Sequence, residues 1–519
     1  MSRLHAEQFR LPLLGPLWGV VRAGQADEQI RLSLGFAPSW GPPQALVLAT
    51  AMQHHGIWQT EVVQVLPWPD VDASADGSPY CVQSFDMKPS MWRGHAALTC
   101  FLAYGFDGLV DIRRARLPWP QTVAPSCSLT WPQRWHERTT PGTCFVVSSC
   151  QYPSGLLDAA PDAHHWLPGP ADASFARLQG WRQQAGQVQP AFGLLLGDQV
   201  YVDATAGMFD PQALGDRYIK PYLAQMQRSY RNDALRNLPL LCLPDDHELQ
   251  NDWQPAPHTR IGPARQQIRE AGLAQYWHFQ RMQAPSPQVW QSFERHGASF
   301  FMADTRTERS ARTAATIDAA RIMEPDQQRA LTQWIADQGP GAHPKFLACP
   351  SAVLPRHTAV DLSRPASALR SDGWDGYPQS LFQLLSALCD HEVQNLVMLS
   401  GDEHIASLAR ISVQRLAHPG QAPTSSPYPA VQMHAVHASG WYSPFPFANA
   451  SPADLRGQDH FAFSVGETHT LRRHYHCTVD TTFYPGDGCV LVQTTPSAQV
   501  QCRFLKGDPR VEPPDWITL

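Results

Sequence analysis

Short apolar runs alternate with longer amphipathic segments from about residue 142 to residue 410. Runs that are apolar on both faces are typical of strands in a parallel sheet whose two faces are covered. The predicted strands are 144–149, 194–196, 238–243, 298–303, 345–349 and 395–400. The predicted helices are 173–185, 211–230, 263–283, 325–338 and 378–392, several of which begin at an aspartate or a proline. This pattern predicts an α/β fold.

The first part of the chain has a different pattern. Alternating or apolar runs at 30–34, 45–49, 61–66 and 96–102 are separated by glycine and proline, which is typical of strands joined by turns. Late runs at 461–465 and 488–492 are also predicted strands. We therefore expect a β-rich N-terminal accessory domain over residues 1–137 and a larger α/β domain over residues 138–519.

Composition narrows the class of protein. The 519 residues carry a net charge of −6 without a basic block, which argues against nucleic acid as an obligate partner. The cysteines are odd in number at 11 and never spaced Cys-x-x-Cys, so neither a disulfide framework nor a zinc ribbon is expected. No apolar run is long enough for a membrane span. The N-terminus shows neither a signal peptide nor a twin arginine, which predicts a cytoplasmic protein.

Several predicted strands end at a residue that can bind a metal or transfer a proton. The carboxyl ends of parallel strands meet at one edge of a sheet, where α/β proteins place their ligands. Burying several carboxylates together is costly unless cations compensate their charge, so this recurrence predicts a pair of metal ions. The strand-end residues are Cys150, Asp198, Asp246, His247, Asp304, Asp402 and His404.

The residue types indicate which metals suit the site. Asp198 is placed to bridge two cations, and Tyr201 follows it closely enough to bind one of them. Phenolate and thiolate ligands, from Tyr201 and Cys150, favour ferric iron. Asp246 and Asp402 suit a hard divalent ion such as calcium, magnesium or manganese. Two such ions roughly 3.5–4 Å apart can activate a water molecule and hold a phosphate group.

Taken together and in this order, the motifs resemble those of the PhoD-like (alkaline phosphatase D) family of the calcineurin-like metallophosphoesterases. The matching segments lie within about 142–410 and are Ser149-Cys150-Gln151, Gly197-Asp198-Gln199-Val200-Tyr201, Asp245-Asp246-His247-Glu248, Asn251-Asp252-Trp253, Phe301-Met302-Ala303-Asp304-Thr305-Arg306 with Arg309, and Ser400-Gly401-Asp402-Glu403-His404. The resemblance implies a four-layer αββα sandwich with an N-terminal β-rich region, and a metallophosphoesterase catalytic domain over residues 138–519.

The resemblance also implies roles for these residues. The metal ligands would be Cys150, Asp198, Tyr201, Asp246, Asp402 and His404. They would hold Fe³⁺ and a divalent ion, with Ca²⁺ favoured over Mg²⁺, Mn²⁺ or Zn²⁺ because Asp402 replaces a histidine of the superfamily. A metal-bound hydroxide would attack phosphorus, and His247 would protonate the leaving oxygen. A further superfamily histidine is missing after the strand at 345–349, which leaves the second metal short of a nitrogen ligand.

Three assignments have alternatives. His247 is either a general acid or an ion-paired structural residue, although the imidazole pKa suits acid catalysis near neutral pH. Arg306 and Arg309 either bind the substrate phosphate through paired hydrogen bonds or neutralise Asp304. A late polar and aromatic group is either structural or part of the pocket wall, and consists of His434, His437, Trp441 and Tyr442.

The function expected from the sequence is hydrolysis of a small-molecule phosphate ester, either a monoester or a diester. The alternative is a catalytically inactive protein of the same fold that binds or senses metal or phosphate. A nucleotide-binding α/β protein is disfavoured, because the chain contains neither a Gly-x-Gly-x-x-Gly loop nor a Gly-x-x-x-x-Gly-Lys-Ser/Thr loop.

Overall fold

The computed structural model describes most of the chain. The described residues are 8–54, 57–69, 82–92, 94–118, 128–136, 142–155, 169–206, 208–255, 263–444, 451–466, 472–507 and 515–519. Within these ranges the strands form three sheets, and helices alternate with strands along the chain. The fold is therefore mixed α/β. None of the helices in these ranges has the length and apolar character needed to cross a bilayer.

The strands are β1 (Phe9–Arg10), β2 (Leu14–Val21), β3 (Gln29–Gly35), β4 (Ala45–His54), β5 (Ile57–Pro67), β6 (Val82–Met87), β7 (Leu98–Ala103), β8 (Arg116–Pro118), β9 (Ser128–Leu129), β10 (Cys144–Ser148), β11 (Phe192–Leu196), β12 (Leu240–Leu243), β13 (Gln291–Arg295), β14 (Ala298–Met302), β15 (Lys345–Ala348), β16 (Leu396–Ser400), β17 (Ala406–Leu416), β18 (Ala430–His437), β19 (Gln458–Val465), β20 (Arg473–Tyr484), β21 (Gly488–Thr494), β22 (Val500–Lys506) and β23 (Ile517–Thr518). The helices are α1 (Leu109–Arg114), α2 (Gln133–His136), α3 (Ala173–Gln183), α4 (Leu214–Gln227), α5 (Ser229–Leu235), α6 (Pro263–Gln275), α7 (Pro325–Gln338) and α8 (Pro378–Asp390).

Two large sheets each contain a parallel centre. The nine-stranded sheet has the order β23-β22-β21-β10-β11-β12-β2-β3-β6, and the eight-stranded sheet has the order β13-β14-β15-β16-β18-β17-β20-β19. Strands β10, β11 and β12 run parallel to one another, as do β14, β15, β16 and β18. Parallel neighbours deliver their carboxyl ends to the same edge, so each sheet presents a row of strand-end loops there.

Aromatic side chains join the two large sheets in one core. Phe145 of β10 lies with its ring centroid 5.1 Å from that of Phe346 of β15, and Phe192 of β11 lies 5.8 Å from Phe300 of β14. All four are fully buried. Because burying a large apolar side chain stabilises a fold by about 1.5–3 kcal/mol, this core holds the two sheets, and hence their strand-end loops, against each other.

The opposite face of the eight-stranded sheet packs on helices. Phe301 and Met398 alternate with the residues of the first core and join a second cluster with Leu331 of α7 and Leu384 of α8. Successive residues of a strand point to opposite faces, so a continuous apolar run serves both cores. This explains why the predicted strands of this sheet carry apolar residues on both faces.

The N-terminal strands divide between two sheets. Strands β1, β4, β5, β7, β8 and β9 form a separate six-stranded sheet, whereas β2, β3 and β6 continue the nine-stranded sheet beyond β12. The division of the chain into domains at residue 137 stays a prediction. The pairing adds that β2, β3 and β6, all from the first 137 residues, belong to the same sheet as β10–β12.

Two predicted helices differ from those observed. The helix predicted at 211–230 is instead α4 and α5, separated at Arg228 by an extended backbone. Helix α4 begins after Ala213 rather than at Pro211, and the carboxylate of the preceding Asp210 accepts hydrogen bonds from the Thr205 backbone N–H at 3.0 Å and hydroxyl at 2.6 Å. The helix predicted at 263–283 ends at Gln275 and continues as a π-helical turn, Tyr276–Gln280. Helix α7 has the predicted bounds and begins at a proline.

Candidate metal centre

The strand-end loops of both large sheets converge on one place. Cys150 follows β10, Asp198 follows β11 and Asp246 follows β12 in the nine-stranded sheet, while Asp402 and His404 follow β16 in the eight-stranded sheet. The first two loops are bonded directly, because the Cys150 N–H donates to the Gly197 carbonyl at 3.1 Å. The structure thus brings together most of the predicted strand-end residues, but among the described residues Asp304, which follows β14, belongs to none of the candidate metal groups.

The backbone at this point is unusual for residues with side chains. Cys150, Asp198, Asp402 and His404 have φ values of 37°, 54°, 77° and 56°, in the left-handed region that favours glycine. Residues held in such conformations cost free energy and persist where the surrounding structure dictates them, most often at functional sites. The strain therefore coincides with four of the six predicted metal ligands.

Close packing explains the glycine before Asp198 and the glycine before Asp402. A Cβ on Gly197 would lie 2.4 Å from the Asp245 Cβ, and a Cβ on Gly401 would lie 2.3 Å from the Ser149 Cβ. Gly197 also has φ +86°. These contacts allow the strand-end loops to approach each other closely enough for their acidic side chains to share one site.

The first candidate group of ligands contains sulfur, nitrogen and oxygen. Ligand atoms of Cys150, Asp198 and His404 all lie within 4.8 Å of one another. The Cys150 Sγ lies 3.5 Å from Asp198 Oδ2, and the Tyr201 hydroxyl lies 3.3 Å from His404 Nε2. A thiolate, a phenolate, an imidazole and a carboxylate are a donor set that suits a ferric ion.

The second candidate group consists only of carboxylates. Oxygens of Asp198, Asp245, Asp246 and Asp402 lie within 4.8 Å of one another, so Asp198 belongs to both groups. Asp245 Oδ2 and Asp246 Oδ1 are buried and have no hydrogen-bond partner among the described residues. Buried carboxylate oxygens without partners fit a hard cation, which prefers oxygen ligands. A further acidic group, Asp246 with Asp252 and Asp372, lies beside it.

The electrostatics show how costly this cluster is without cations. Burial, reinforced by neighbouring carboxylates, raises the pKa of Asp198 and of Asp402 well above the usual range, and that of Asp245 to about 7. Burial also raises the pKa of Cys150 and of Tyr201. Each shift favours the neutral form because burial, and after it the neighbouring negative charge, disfavours ionisation, and a bound cation reverses that preference. The residues present therefore fit a metal centre.

Asp246 is the exception among these carboxylates. Burial alone would raise its pKa, but Arg306 and His247 outweigh that effect and hold the pKa at about 2. The Asp252 backbone N–H also donates to Asp246 Oδ2 at 2.6 Å. Asp246 is therefore ionised and fixed before any cation binds, as a ligand should be.

His247 is held on three sides. Its Nδ1 lies 2.7 Å from Asp203 Oδ1, its backbone N–H donates to Asp198 Oδ1 at 3.2 Å, and its ring stacks on Tyr201 at 4.0 Å. Burial disfavours the charged ring, but Asp246, Asp198 and the bond to Asp203 together raise its pKa to about 10. The neighbouring carboxylates thus favour the protonated ring, and Asp203 orients it.

Arg306 and Arg309 are completely buried and face carboxylates. The Arg306 guanidinium bonds Asp245 and lies 2.5 Å from Asp372 Oδ2, while Arg309 Nη1 lies 2.6 Å from Asp372 Oδ1. Neither side chain neutralises Asp304, whose carboxylate instead accepts the backbone N–H of Arg306 and of Thr307, both at 2.9 Å. Of the two alternatives for these arginines, the contacts of their guanidinium groups therefore do not support neutralisation of Asp304.

The late polar and aromatic group is spread over different surroundings. His434 lies within β18, and His437 at its end is buried, which lowers its pKa to about 3. Trp441 stacks on Phe175 of α3 with ring centroids 4.4 Å apart. Tyr442 belongs to a buried cluster with Tyr201, which places it next to the first ligand group.

Sequence reasoning missed several residues of this centre. Asp245 was seen only as part of a motif, although its position next to Asp246 was a signal. Glu248, named from the sequence only as part of the same motif, fixes the loop after β11, because it accepts the backbone N–H of Asp198 at 2.9 Å and of Gln199 at 2.7 Å. Asp203 and Asp372 follow no predicted strand, so the strand-end pattern gave no signal for them.

Comparisons with known proteins show the family of the chain and its fold. A profile of the PhoD-like phosphatase family matches residues 164–431, just over half of the chain. The structure titled "Structure of PhoD" superimposes with a TM-score of 0.55 over 97% of this chain and 89% of that chain, at 15% sequence identity, which shows a shared fold. No curated protein matches the sequence. The extent of the family match shows that the chain belongs to the PhoD-like phosphatase family.

Proposed function

We propose that the chain is a binuclear-metal phosphate ester hydrolase that acts on small-molecule monoesters and diesters. One observation carries this proposal: Asp198 belongs both to the group with Cys150 and His404 and to the carboxylate group with Asp246 and Asp402. A carboxylate shared by two ligand groups is what two neighbouring cations require. Membership of the PhoD-like phosphatase family supports the reaction class.

The donor types support the choice of metals. We propose Fe³⁺ in the first group, held by Cys150, Asp198, Tyr201 and His404, because thiolate and phenolate stabilise the ferric state. We propose Ca²⁺ in the second group, in preference to Mg²⁺, Mn²⁺ or Zn²⁺, because every side-chain ligand there is a carboxylate oxygen.

The protein residues then have separate roles in the reaction. When bound, the two cations would supply an acidified water and neutralise charge on the phosphate. Asp198 would join the two ligand groups, because its carboxylate belongs to both of them. His247, protonated and held at Nδ1 by Asp203, is placed to donate a proton to the leaving oxygen. This favours the catalytic interpretation of His247 over a purely structural ion pair.

We propose a changed role for Arg306 and Arg309. Both were predicted to bind the substrate phosphate, but their guanidinium groups are fully buried against carboxylates. We propose that they hold Asp245 and Asp372 in place and offset part of the negative charge. The phosphate would then be bound chiefly by the cations.

The wider organisation is also a proposal. The shared aromatic core between the two large sheets, and helices α7 and α8 outside one of them, support the αββα sandwich. The separate six-stranded sheet, built from residues of 1–137, supports an accessory β-rich region beside a catalytic domain of 138–519. The cytoplasmic location stays a prediction from the sequence.

The proposal is tested by assaying the purified protein on a chromogenic phosphomonoester and on the corresponding diester, with and without a chelator. Elemental analysis of the same samples measures iron and calcium. Asp198→Asn should lose turnover and metal, whereas Asp326→Asn, at an exposed ion pair, is the matched control. Wild-type protein that binds both cations but hydrolyses no ester would instead support the inactive metal-binding alternative.

A further inference from the structure

The loop after β16 supplies ligands to both candidate groups from residues two apart. His404 belongs to the group with Cys150, and Asp402 to the group of carboxylates. Both have left-handed backbone conformations, with Glu403 between them. Neither φ value is intrinsically preferred, so the surrounding structure must hold this loop in its conformation. The directions of the Asp402 and His404 side chains therefore depend on how Glu403 is fixed.

Glu403 is fixed by a histidine from another loop. Its Oε1 lies 2.8 Å from His357 Nε2, and both side chains are largely buried, with 7% and 15% of their surfaces exposed. Among the described residues, the candidate metal groups do not include Glu403 or His357. A buried carboxylate and imidazole pair beside the ligands, but outside both groups, indicates a supporting role.

The segment that carries His357 is itself anchored on its other side. The His357 backbone N–H donates to Asp375 Oδ2 at 2.7 Å, and His357 forms a backbone bridge with Leu455. The preceding residue, Arg356, makes a bidentate buried ion pair with Asp459 of β19, at 2.7 and 2.9 Å. His357 therefore connects the ligand loop to a rigid part of the eight-stranded sheet.

We propose that His357 is a positioning residue that clamps Glu403 and thereby sets the directions of Asp402 and His404, so that one contact controls both cation sites. The inference rests on the proposed function, since it requires cations in both groups. His357 comes from the loop after β15, the region where the sequence lacks the additional histidine ligand of the superfamily. In this chain the histidine from that loop supports the ligands through Glu403.

The test compares His357→Ala with His343→Ala as a matched control. His343 is also partly buried, and its Nε2 lies 2.7 Å from Gln338 Oε1 and 3.4 Å from Ser299 Oγ, but it precedes β15 at the opposite end of the strand. Calorimetry on chelator-treated protein measures Ca²⁺ affinity, elemental analysis measures retained iron, and steady-state kinetics separate kcat from KM.

His357→Ala should weaken Ca²⁺ binding and lower kcat by about 10–100-fold each, the usual cost of losing a residue that orients metal ligands, with KM unchanged. It should also lose iron, whereas His343→Ala should behave like the wild type. If His357→Ala does not fold, His357→Gln carries the test, because the glutamine amide can still donate a hydrogen bond to Glu403, although its reach differs from that of histidine. His357→Gln should lose less Ca²⁺ affinity, kcat and iron than Glu403→Ala.

Two results would overturn the clamp. The first is a His357→Ala protein that melts at a lower temperature yet binds Ca²⁺, retains iron and turns over like the wild type, which would mean a structural role only. The second is a His357→Gln protein as impaired as Glu403→Ala. A wild-type protein that binds no cation would instead overturn the proposed function, so the two failures are distinguishable.

Discussion

Replacing Arg306 by methionine tests whether this residue organises the carboxylates or binds substrate. The side chain is completely buried, bonds Asp245, and lies 2.5 Å from Asp372 Oδ2. Its Nη2 is also 3.6 Å from Asp402 and 3.7 Å from Asp246. Removing one partner of a buried ion pair typically costs about 3–5 kcal/mol, because the other charge stays buried. Asp245, with a pKa of about 7, can take up a proton, so we expect about 3 kcal/mol.

The measurement is urea unfolding of chelator-treated protein at neutral pH, so that bound cations do not mask the loss. Arg329→Met is the matched control, because Arg329 pairs with Asp326 at the surface, where such pairs contribute about 0–1 kcal/mol. We expect a clear loss of stability for Arg306→Met alone, together with a lower kcat. An Arg306→Met protein of unchanged stability whose only defect is a raised KM would refute the reasoning and restore the phosphate-binding role.

Four further predictions follow from the site. Asp198→Ala should abolish turnover and lower the content of both metals, and retention of either metal at wild-type levels would contradict the shared-ligand role. His247→Ala should lower kcat by about 10²–10⁴-fold with its metal content intact, as expected for a general acid; parallel metal loss would point to a ligand instead. Tyr201→Phe or Cys150→Ser should weaken visible absorption from a ferric site, and a colourless active wild type would exclude iron. Finally, burial lowers the pKa of His357, but the contact with Glu403 outweighs that effect and raises the pKa from 6.5 to about 9. The contribution of this ion pair to the stability of the fold is therefore complete below about pH 6.5 and is lost as the pH rises through 9. The difference in melting temperature between wild type and His357→Gln should shrink over that range.

The sequence predicted those site residues that stand at the end of a regular apolar run. A buried strand must be apolar at consecutive positions, so the residue at which the apolar run stops marks the edge of the sheet. Asp198 and Asp402 could each be placed at a strand end for that reason, but they follow strands of different sheets, so their meeting depends on how the two sheets pack. Helix α7 was bounded correctly because Pro325 and the following amphipathic pattern agree. The helix predicted from Pro211 was misplaced because Asp210 bonds Thr205, a competing local use of the same side chain.

Side-chain partners across long sequence separations were beyond reach of such patterns. The sequence shows that Arg306 arrives near a strand end, but whether its guanidinium meets phosphate or carboxylate depends on Asp372, in a loop with no periodic signal. The same holds for the contact between His357 and Glu403, 46 residues apart. Each contact is decided by how two loops pack, which depends on the whole core.

Charge balance connects the predicted and the unpredicted parts of the centre. Within the described residues, the carboxylates of the second group are approached by one guanidinium, that of Arg306, while Arg309 is engaged by Asp372. His247 adds a positive charge but already has Asp203 as its partner. Burial, reinforced by the neighbouring carboxylates, raises the pKa of Asp198, of Asp402 and of Cys150, so these groups favour their neutral forms. Arg306 thus offsets part of the negative charge in the folded chain before cations bind. The carboxylate charge that it leaves uncompensated is available for cations to bind afterwards.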